Sequence, residues 1–269
     1  MISIYSLTGE TKEKTKLPEQ FNEEYRPDVI KRAVLAIQTH KIQPTAPKVH
    51  AGNFFSTYLS KRRHEYKSTY GSGRSRTPRK VMSKKGSRLN FMGAGVPQTV
   101  GGRIAHPPKI EKIWAEKIND KERRKAIRSA IAATAVKKIV EMRGHRVGNI
   151  KEFPLIIENK AEELAKTKDV LNVLIKLGLE HELERISERK VRAGKGKMRG
   201  RKYKTKVGPL FIVSKKCKLL ESAKNIMGVD AVDVRKLNAE LLAPGTQAGR
   251  LTIWSEAALK ELGEKKLFM

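Results

Sequence analysis

Apolar residues follow strand or helix spacing over most of this chain. Ile2, Ile4, Tyr5 and Leu7 form a short apolar run, and Thr8-Gly9-Glu10 has turn chemistry, which predicts a strand pair at the start. Pro27 suits a first helical position. Val29, Ile30, Ala33, Val34 and Ile37 then recur at helical spacing, predicting a helix to about His40. A second helical pattern covers 119–143. Asn119 with Glu122 fits a reciprocal N-terminal cap, Ile127, Ala130, Ile131, Thr134 and Ala135 line one face, and Gly144 suits the stop.

From residue 153 the two periods alternate. Phe153–Ile157 is a continuous apolar run, as a strand buried on both faces requires. Thr167 to Leu177 reads as a helix with Leu171, Leu174, Ile175 and Leu177 inward and Gly178 as terminator. Leu210–Val213 reads as a strand, and Ser214 can cap a helix carrying Leu219, Leu220, Ala223 and Ile226 as far as Gly228. Ala231–Val234 is a short strand, and Asn238 can cap the brief helix Ala239–Leu242. Leu251–Trp254 is the last strand, and Ser255 can cap Glu256–Leu262 before Gly263. This order predicts an α/β body, a mostly parallel, Rossmann-like open sheet with helices on its faces.

Two stretches keep no such period. Residues 41–112 contain eight of the glycines and six of the eleven prolines, with no lasting helical or strand pattern. A loop of this length inside a compact domain is either functional or disordered. Alone in water it buries too little apolar surface to offset its ordering entropy, so it is expected to order on a partner. Residues 185–206 form a second insertion. The expected organisation is a body of 1–40 and 113–269, an extended loop of 41–112, and the insertion of 185–206 within the body.

Charge separates these parts further. The 269 residues carry a net charge of +30. Residues 41–112 hold sixteen Lys/Arg against Glu65 and Glu111, and residues 185–206 hold eleven against Glu188, so +24 of the +30 lies in the two segments. The remaining 175 residues carry +6, an ordinary balance. Like charges oppose compaction, so this concentration concerns partners rather than folding. The chain has no run of about 18 apolar residues for a membrane helix, and its first residues lack signal-peptide character, so no membrane partner is expected. A single cysteine, Cys217, excludes an intramolecular disulfide and a multi-Cys zinc site and suits a reducing cytoplasm. Nucleic acid becomes the leading partner.

Enzymatic chemistry finds no support in the motifs. Gly93-Ala94-Gly95-Val96-Pro97-Gln98 begins like a dinucleotide fingerprint but lacks the last glycine, contains proline and follows no predicted strand. Gly194-Lys195-Gly196-Lys197-Met198 lacks the hydroxyl residue and glycine spacing of a phosphate loop. The histidines are scattered, with none at metal-ligand spacing from another His or a carboxylate, and no carboxylate pair suggests acid–base work. No catalytic residue, cofactor or metal is expected.

The basic segments instead carry RNA chemistry. Arginine supplies bidentate phosphate contacts and stacks on bases, and interleaved rings such as Phe54, Phe55, Tyr58, Tyr66 and Tyr70 can stack on unpaired bases. In the first segment the candidate RNA contacts are Arg62, Arg63, Arg74, Arg76, Arg79, Lys80, Lys84, Lys85, Arg88 and Arg103. In the second they are Arg192, Lys195, Lys197, Arg199, Arg201 and Lys202. A helical face of Lys121, Arg124, Lys125 and Arg128 fits RNA contact and plain solvation equally well. The residues alone leave three functions open: a structural RNA-binding protein, a free-standing RNA- or DNA-binding regulator, and a nucleotide-dependent RNA-modifying enzyme.

Four strings then resemble one family. They are Gly71-Ser72-Gly73-Arg74-Ser75-Arg76, the run from Val96 to Arg103 with Ala105-His106-Pro107-Pro108, the run from Arg192 to Arg201, and the run from Leu237 to Gly245. In this order they resemble the universal large-subunit ribosomal protein number four over essentially the whole chain. The two insertions look like its archaeal/eukaryotic form, and the lack of a long C-terminal extension points to the archaeal one. The resemblance implies a non-enzymatic ribosomal protein in the cytoplasm, monomeric within the ribosome, whose partners are large-subunit rRNA and neighbouring ribosomal proteins. It also implies that the first loop reaches the nascent-peptide exit tunnel, with its tip between about Arg76 and Met92. Arg79, Lys80, Lys84, Lys85 and Arg88 then border the tunnel, near the nascent peptide.

Overall fold

The structure, a computed structural model, describes residues 2–66, 68–148, 150 and 152–269. Its strands are β1 (Ile2–Tyr5), β2 (Thr11–Thr15), β3 (Arg79–Lys85), β4 (Arg88–Gly93), β5 (Leu155–Ile157), β6 (Lys190–Val191), β7 (Tyr203–Lys204), β8 (Leu210–Val213), β9 (Asp230–Asp233) and β10 (Thr252–Ser255). Its helices are α1 (Pro27–Thr39), α2 (Asp120–Ala135), α3 (Lys137–Met142), α4 (Thr167–Lys176), α5 (Glu180–Ser187), α6 (Leu219–Lys224), α7 (Ala239–Leu242) and α8 (Glu256–Glu264). The chain divides into two compact units, one of Met1–Lys41 with Ala115–Met269 and one of Ile42–Trp114.

The larger unit is built on a mixed six-stranded sheet in the order β2-β1-β5-β10-β8-β9. β2 runs antiparallel to β1, and the pairs from β1 across to β9 are parallel. Every residue of β5, β8 and β10 is buried, which explains their unbroken apolar runs. Alternate side chains feed two cores. Ile156, Leu210, Ile212 and Trp254 pack with Ile30 and Val34 of α1, Ile127 and Ile131 of α2, and Leu259 of α8. Leu155, Ile157, Phe211, Val213 and Ile253 pack on the other face with Val170 and Leu174 of α4 and Leu219 and Ala223 of α6. Phe21 meets Trp254 edge-on at 5.4 Å between ring centres. The outer strand β2 is Thr-Lys-Glu-Lys-Thr, and its charge discourages pairing with another chain.

Several local expectations change. The single helix expected over 119–143 is two, because Val136 leaves helical geometry (φ −96°, ψ 107°). The break lets Ile131 and Val140 serve opposite cores. Asn119 makes no side-chain cap bond, and Glu122 turns instead to Arg32 at 3.0 Å. Ser214 does not cap α6, which begins at Leu219; its backbone N–H and its hydroxyl donate to Glu162. Leu174 and Leu177 are buried as expected, but the rest of the inward stripe of α4 is Val170 and Val173, leaving Leu171 half-buried and Ile175 exposed. Helix α5 was not expected, since Leu183 and Ile186 are too few to show a period. Gly263 lies inside α8 rather than ending it. Asn238 and Ser255 do cap α7 and α8, accepting from Leu241 N–H at 2.9 Å and Ala258 N–H at 3.1 Å.

The unit 42–114 is also more regular than its sequence suggests. β3 and β4 form an antiparallel hairpin with Lys85 opposite Arg88, Gly86 at φ +60° in the turn, and an irregularity between Val81 and Ser83. Most of its residues are exposed, so backbone pairing rather than a buried face organises it, and a hydrophobic period could not reveal it. At Gly52 (φ +85°) the chain passes against its own return. A Cβ there would lie 2.6 Å from the backbone nitrogen of Arg103.

Candidate nucleic-acid interface

An open α/β sheet ordinarily binds its ligand beyond the carboxyl ends of its strands. In this protein a carboxylate of the chain itself ties those ends together. Glu162, buried just past β5, accepts from Ser214 N–H at 2.9 Å beyond β8 and from the Ser255 hydroxyl at 2.6 Å at the end of β10. A carboxylate at this place is the wrong charge for a nucleotide phosphate. The described residues contain no group of His, Cys, Asp and Glu that could hold a metal ion. Among the described residues no helix is long and apolar enough to cross a membrane.

The cations are distributed differently in the two kinds of segment. On the body many are paired: Lys12 with Glu158, Arg128 with Glu23, Arg235 with Glu261 and Lys260 with Glu256, all at 2.5–2.7 Å. On the face of α2 expected to share basic residues, Arg124 and Arg128 reach the Met269 and Phe268 carbonyls, so they anchor the C-terminal residues. Of the sixteen candidate RNA contacts, none lies within ion-pair distance of an acid among the described residues. Glu65, one of the two acids in 41–112, is occupied locally by the Tyr58 and Ser60 hydroxyls, which hold its carboxyl below the usual range.

Within the first segment Arg62, Arg63, Arg74 and Arg103 are exposed, as are Lys84, Lys85 and Arg88 at the hairpin turn. Arg79 and Lys80 lie at the opposite end of the hairpin, paired with Gly93 and Met92. Seven residues of strand span on the order of 20 Å, so these five candidates do not form one cluster. Arg79 is turned inward and donates to the Thr69 hydroxyl at 2.6 Å and the Ser75 hydroxyl at 3.2 Å. Among the described contacts, rings expected to meet bases already carry cations. Lys80 lies 3.4 Å over Phe55, Arg76 4.8 Å over Tyr70 and Lys48 4.5 Å over Phe54.

The second insertion closes through the short β6–β7 pair, with Lys190 opposite Lys204 and Val191 opposite Tyr203. Beyond the pair, Gly194 and Gly200 adopt positive φ. Arg192 is half-buried and donates to the Arg201 carbonyl at 3.0 Å, stiffening the loop. Lys195, Lys197, Arg199, Arg201 and Lys202 stay exposed.

A buried polar cluster beside this insertion escaped sequence reasoning. Glu182, on α5, accepts from Arg185 at 2.6 Å, from Arg146 N–H at 2.9 Å and from the His145 ring at 2.6 Å. Burial pushes the Glu182 carboxyl up, but the Arg185 and His145 hydrogen bonds outweigh it and hold the group at about 2. Leu251 N–H donates to His145 Nε2 at 3.3 Å, so Nδ1–H is the donor to Glu182 and the ring is neutral. Burial, the largest influence on His145, lowers its pKa in agreement. The partners are 37 residues apart in sequence, and only the tertiary fold brings them together.

Mixed sheet and unpaired cationic segments define a class: a basic α/β protein that presents charge on two segments of its chain. A sequence model of the ribosomal protein L4/L1 family matches residues 15–265, and the chain belongs to that family. It is 47% identical over 268 residues to a protein of Nanoarchaeum equitans, covering 99% of each chain. It is 48% identical over 264 residues to one of Methanoculleus marisnigri, covering 97% of this chain and 98% of the relative, and 46% identical over 264 residues to one of Methanosphaera stadtmanae, covering 98% and 96%. All three relatives are named large ribosomal subunit protein uL4 and are archaeal. The family is structural, and the chain is not an enzyme.

Proposed function

We propose that this chain is a structural constituent of the large subunit of a cytoplasmic archaeal ribosome, binding rRNA through its two basic segments. The observation that supports it most is the set of sixteen exposed or half-buried cations in those segments with no acid at ion-pair distance among the described residues. RNA phosphates supply the missing counter-charge and release condensed ions on binding. On this reading the open-sheet body is a platform, 41–112 is an extended loop that takes its final path on rRNA, and 185–206 is a second anchor. The protein is monomeric within the ribosome and touches neighbouring ribosomal proteins.

The β3–β4 hairpin is the part of the loop suited to reach the nascent-peptide exit tunnel. Its turn carries Lys84, Lys85 and Arg88 around Gly86, exposed and unopposed by acids at ion-pair distance among the described residues. Arg79 and Lys80 occupy its base and brace it.

Binding to an archaeal large-subunit rRNA transcript, measured across salt concentrations, tests the reading. Log affinity should fall with log salt by ~0.7–0.9 per phosphate contacted. A flat response rejects electrostatic RNA binding. In cells the chain should co-sediment with large subunits; finding it only free in the cytosol would favour a free-standing regulator. A photo-cross-linker at Ser87 should capture the nascent chain of stalled ribosomes, and capture of rRNA alone would move the tunnel tip elsewhere.

A further inference from the structure

The root of the second insertion encloses a cleft of about 350 Å³ lined by Arg143, His145, Arg185, Lys190, Lys204 and Lys206, with Thr205 and Val207. Its charge does not balance. Lys190 and Lys204 are register partners in the β6–β7 pair, so like charges stand opposite each other, an arrangement that costs stability. Both are exposed, and neither has an acid at ion-pair distance among the described residues. Arg143 donates to the Pro244 carbonyl at 2.7 Å and the Gln247 side-chain oxygen at 3.3 Å, both neutral, and its buried Nε has no partner among the described residues. Burial lowers its pKa, and the nearby Arg250 and Arg185 add repulsion.

The acids nearby are committed. Glu182 is held by Arg185 and His145, and Glu188 takes Lys206 at 2.5 Å. Arg143, Lys190 and Lys204 therefore line one cleft with no acid at ion-pair distance among the described residues, and the acid whose field Lys190 feels, Glu188, is already held by Lys206. We propose that this cleft seats a backbone phosphate of folded RNA, held between the two strands of the insertion and the body. A phosphodiester fits the chemistry because the lining is cationic and its one ring, His145, is buried and held by Glu182 and Leu251 N–H; Tyr203 is paired one register step away, opposite Val191. The proposal rests on the RNA-binding reading above and deepens it. It places one strong contact at the root of the insertion, not only along its glycine-rich end, and docking there would fix the insertion's angle to the body.

The test compares the full chain with Lys190→Gln/Lys204→Gln and Arg143→Gln, using Lys168→Gln on α4 as a control. Binding to the large-subunit rRNA transcript is followed across salt, and inorganic phosphate is titrated while the side-chain NMR signals of Lys190, Lys204 and Arg143 are watched. The double variant should bind several-fold more weakly with a salt slope shallower by about one, while the control is unchanged. Its thermal midpoint should not fall, since it removes a like-charge pair, and this separates the site from a structural role if Arg143→Gln folds poorly. Wild-type binding with no salt dependence defeats the reading on which the proposal rests. Salt-dependent wild-type binding with an unchanged slope and affinity in the variants overturns the proposal alone. Phosphate-induced shifts in the cleft without any effect of the variants on RNA binding would assign the cleft to a free small anion and likewise overturn it.

Discussion

Glu182 stays ionised although it is completely buried, because Arg185, Arg146 N–H and His145 all donate to it. Removing its charge strands Arg185, whose side chain is only 15% exposed. Glu182→Gln should therefore destabilise the body by roughly 3–5 kcal/mol, read as a lower urea midpoint. The same cluster sets a pH response. Glu182 is lowered from 4.5 to about 2, and His145 is lowered from 6.5, so in both cases the unfolded chain binds protons more readily. Their stabilisation is complete above about pH 6.5 and is lost as pH falls, first as the unfolded His145 protonates and then between 4.5 and about 2. Unfolding midpoints followed down this range should decline, and in Glu182→Gln the lower part of the decline should shrink, leaving that of the other lowered carboxylates such as Glu158 and Glu261. A wild-type midpoint that is flat from pH 7 to 3 contradicts this.

At the scale of elements, the chain is most legible where local chemistry and packing agree. Ser255 caps α8 as its sequence position suggests, and its hydroxyl also donates to Glu162 at 2.6 Å, tying the helix start to the crest of the sheet. Ser255→Ala should cost about 1 kcal/mol for the cap, since Glu162 keeps its bonds from Ser214; a loss below about 0.3 kcal/mol by chemical denaturation would show that the cap is idle. Elements were missed or mis-set where the deciding contact is remote. Asn119 lost its reciprocal cap because Glu122 found Arg32 on α1, and Ser214 was diverted by Glu162. The β3–β4 hairpin buries too little to impose a hydrophobic period, so only its register shows it.

Over the whole molecule, the two ends of the first basic segment are pinned close together on the body. Glu116 N–H donates to the Thr39 hydroxyl at 3.0 Å, and Lys41 reaches Glu240 at 2.5 Å. Residues 42–114 also form a compact unit of their own. Replacing them with a short glycine linker should leave a body that unfolds in one cooperative step with a midpoint within a few degrees of the full chain. Its RNA affinity should fall by orders of magnitude at moderate salt, as the loss of several phosphate contacts requires. Loss of cooperative unfolding would show that the segment completes the core.

The sequence alone determined the periodic parts: the strands β5, β8 and β10, the first of them as buried on both faces, the helix from Pro27, the caps at Asn238 and Ser255, and the confinement of +24 of the +30 charge to two segments. These follow from short-range rules, and side-chain period and charge can be read residue by residue. Tertiary structure decided what depends on residues distant in the chain. It tied the strand ends together through Glu162, paired His145 with Glu182, broke the helix at Val136 so that its halves serve opposite cores, and brought Arg143 to the root of the second insertion beside Lys190 and Lys204. A local pattern cannot encode those meetings, because each is a contact between segments that only the packed sheet brings together.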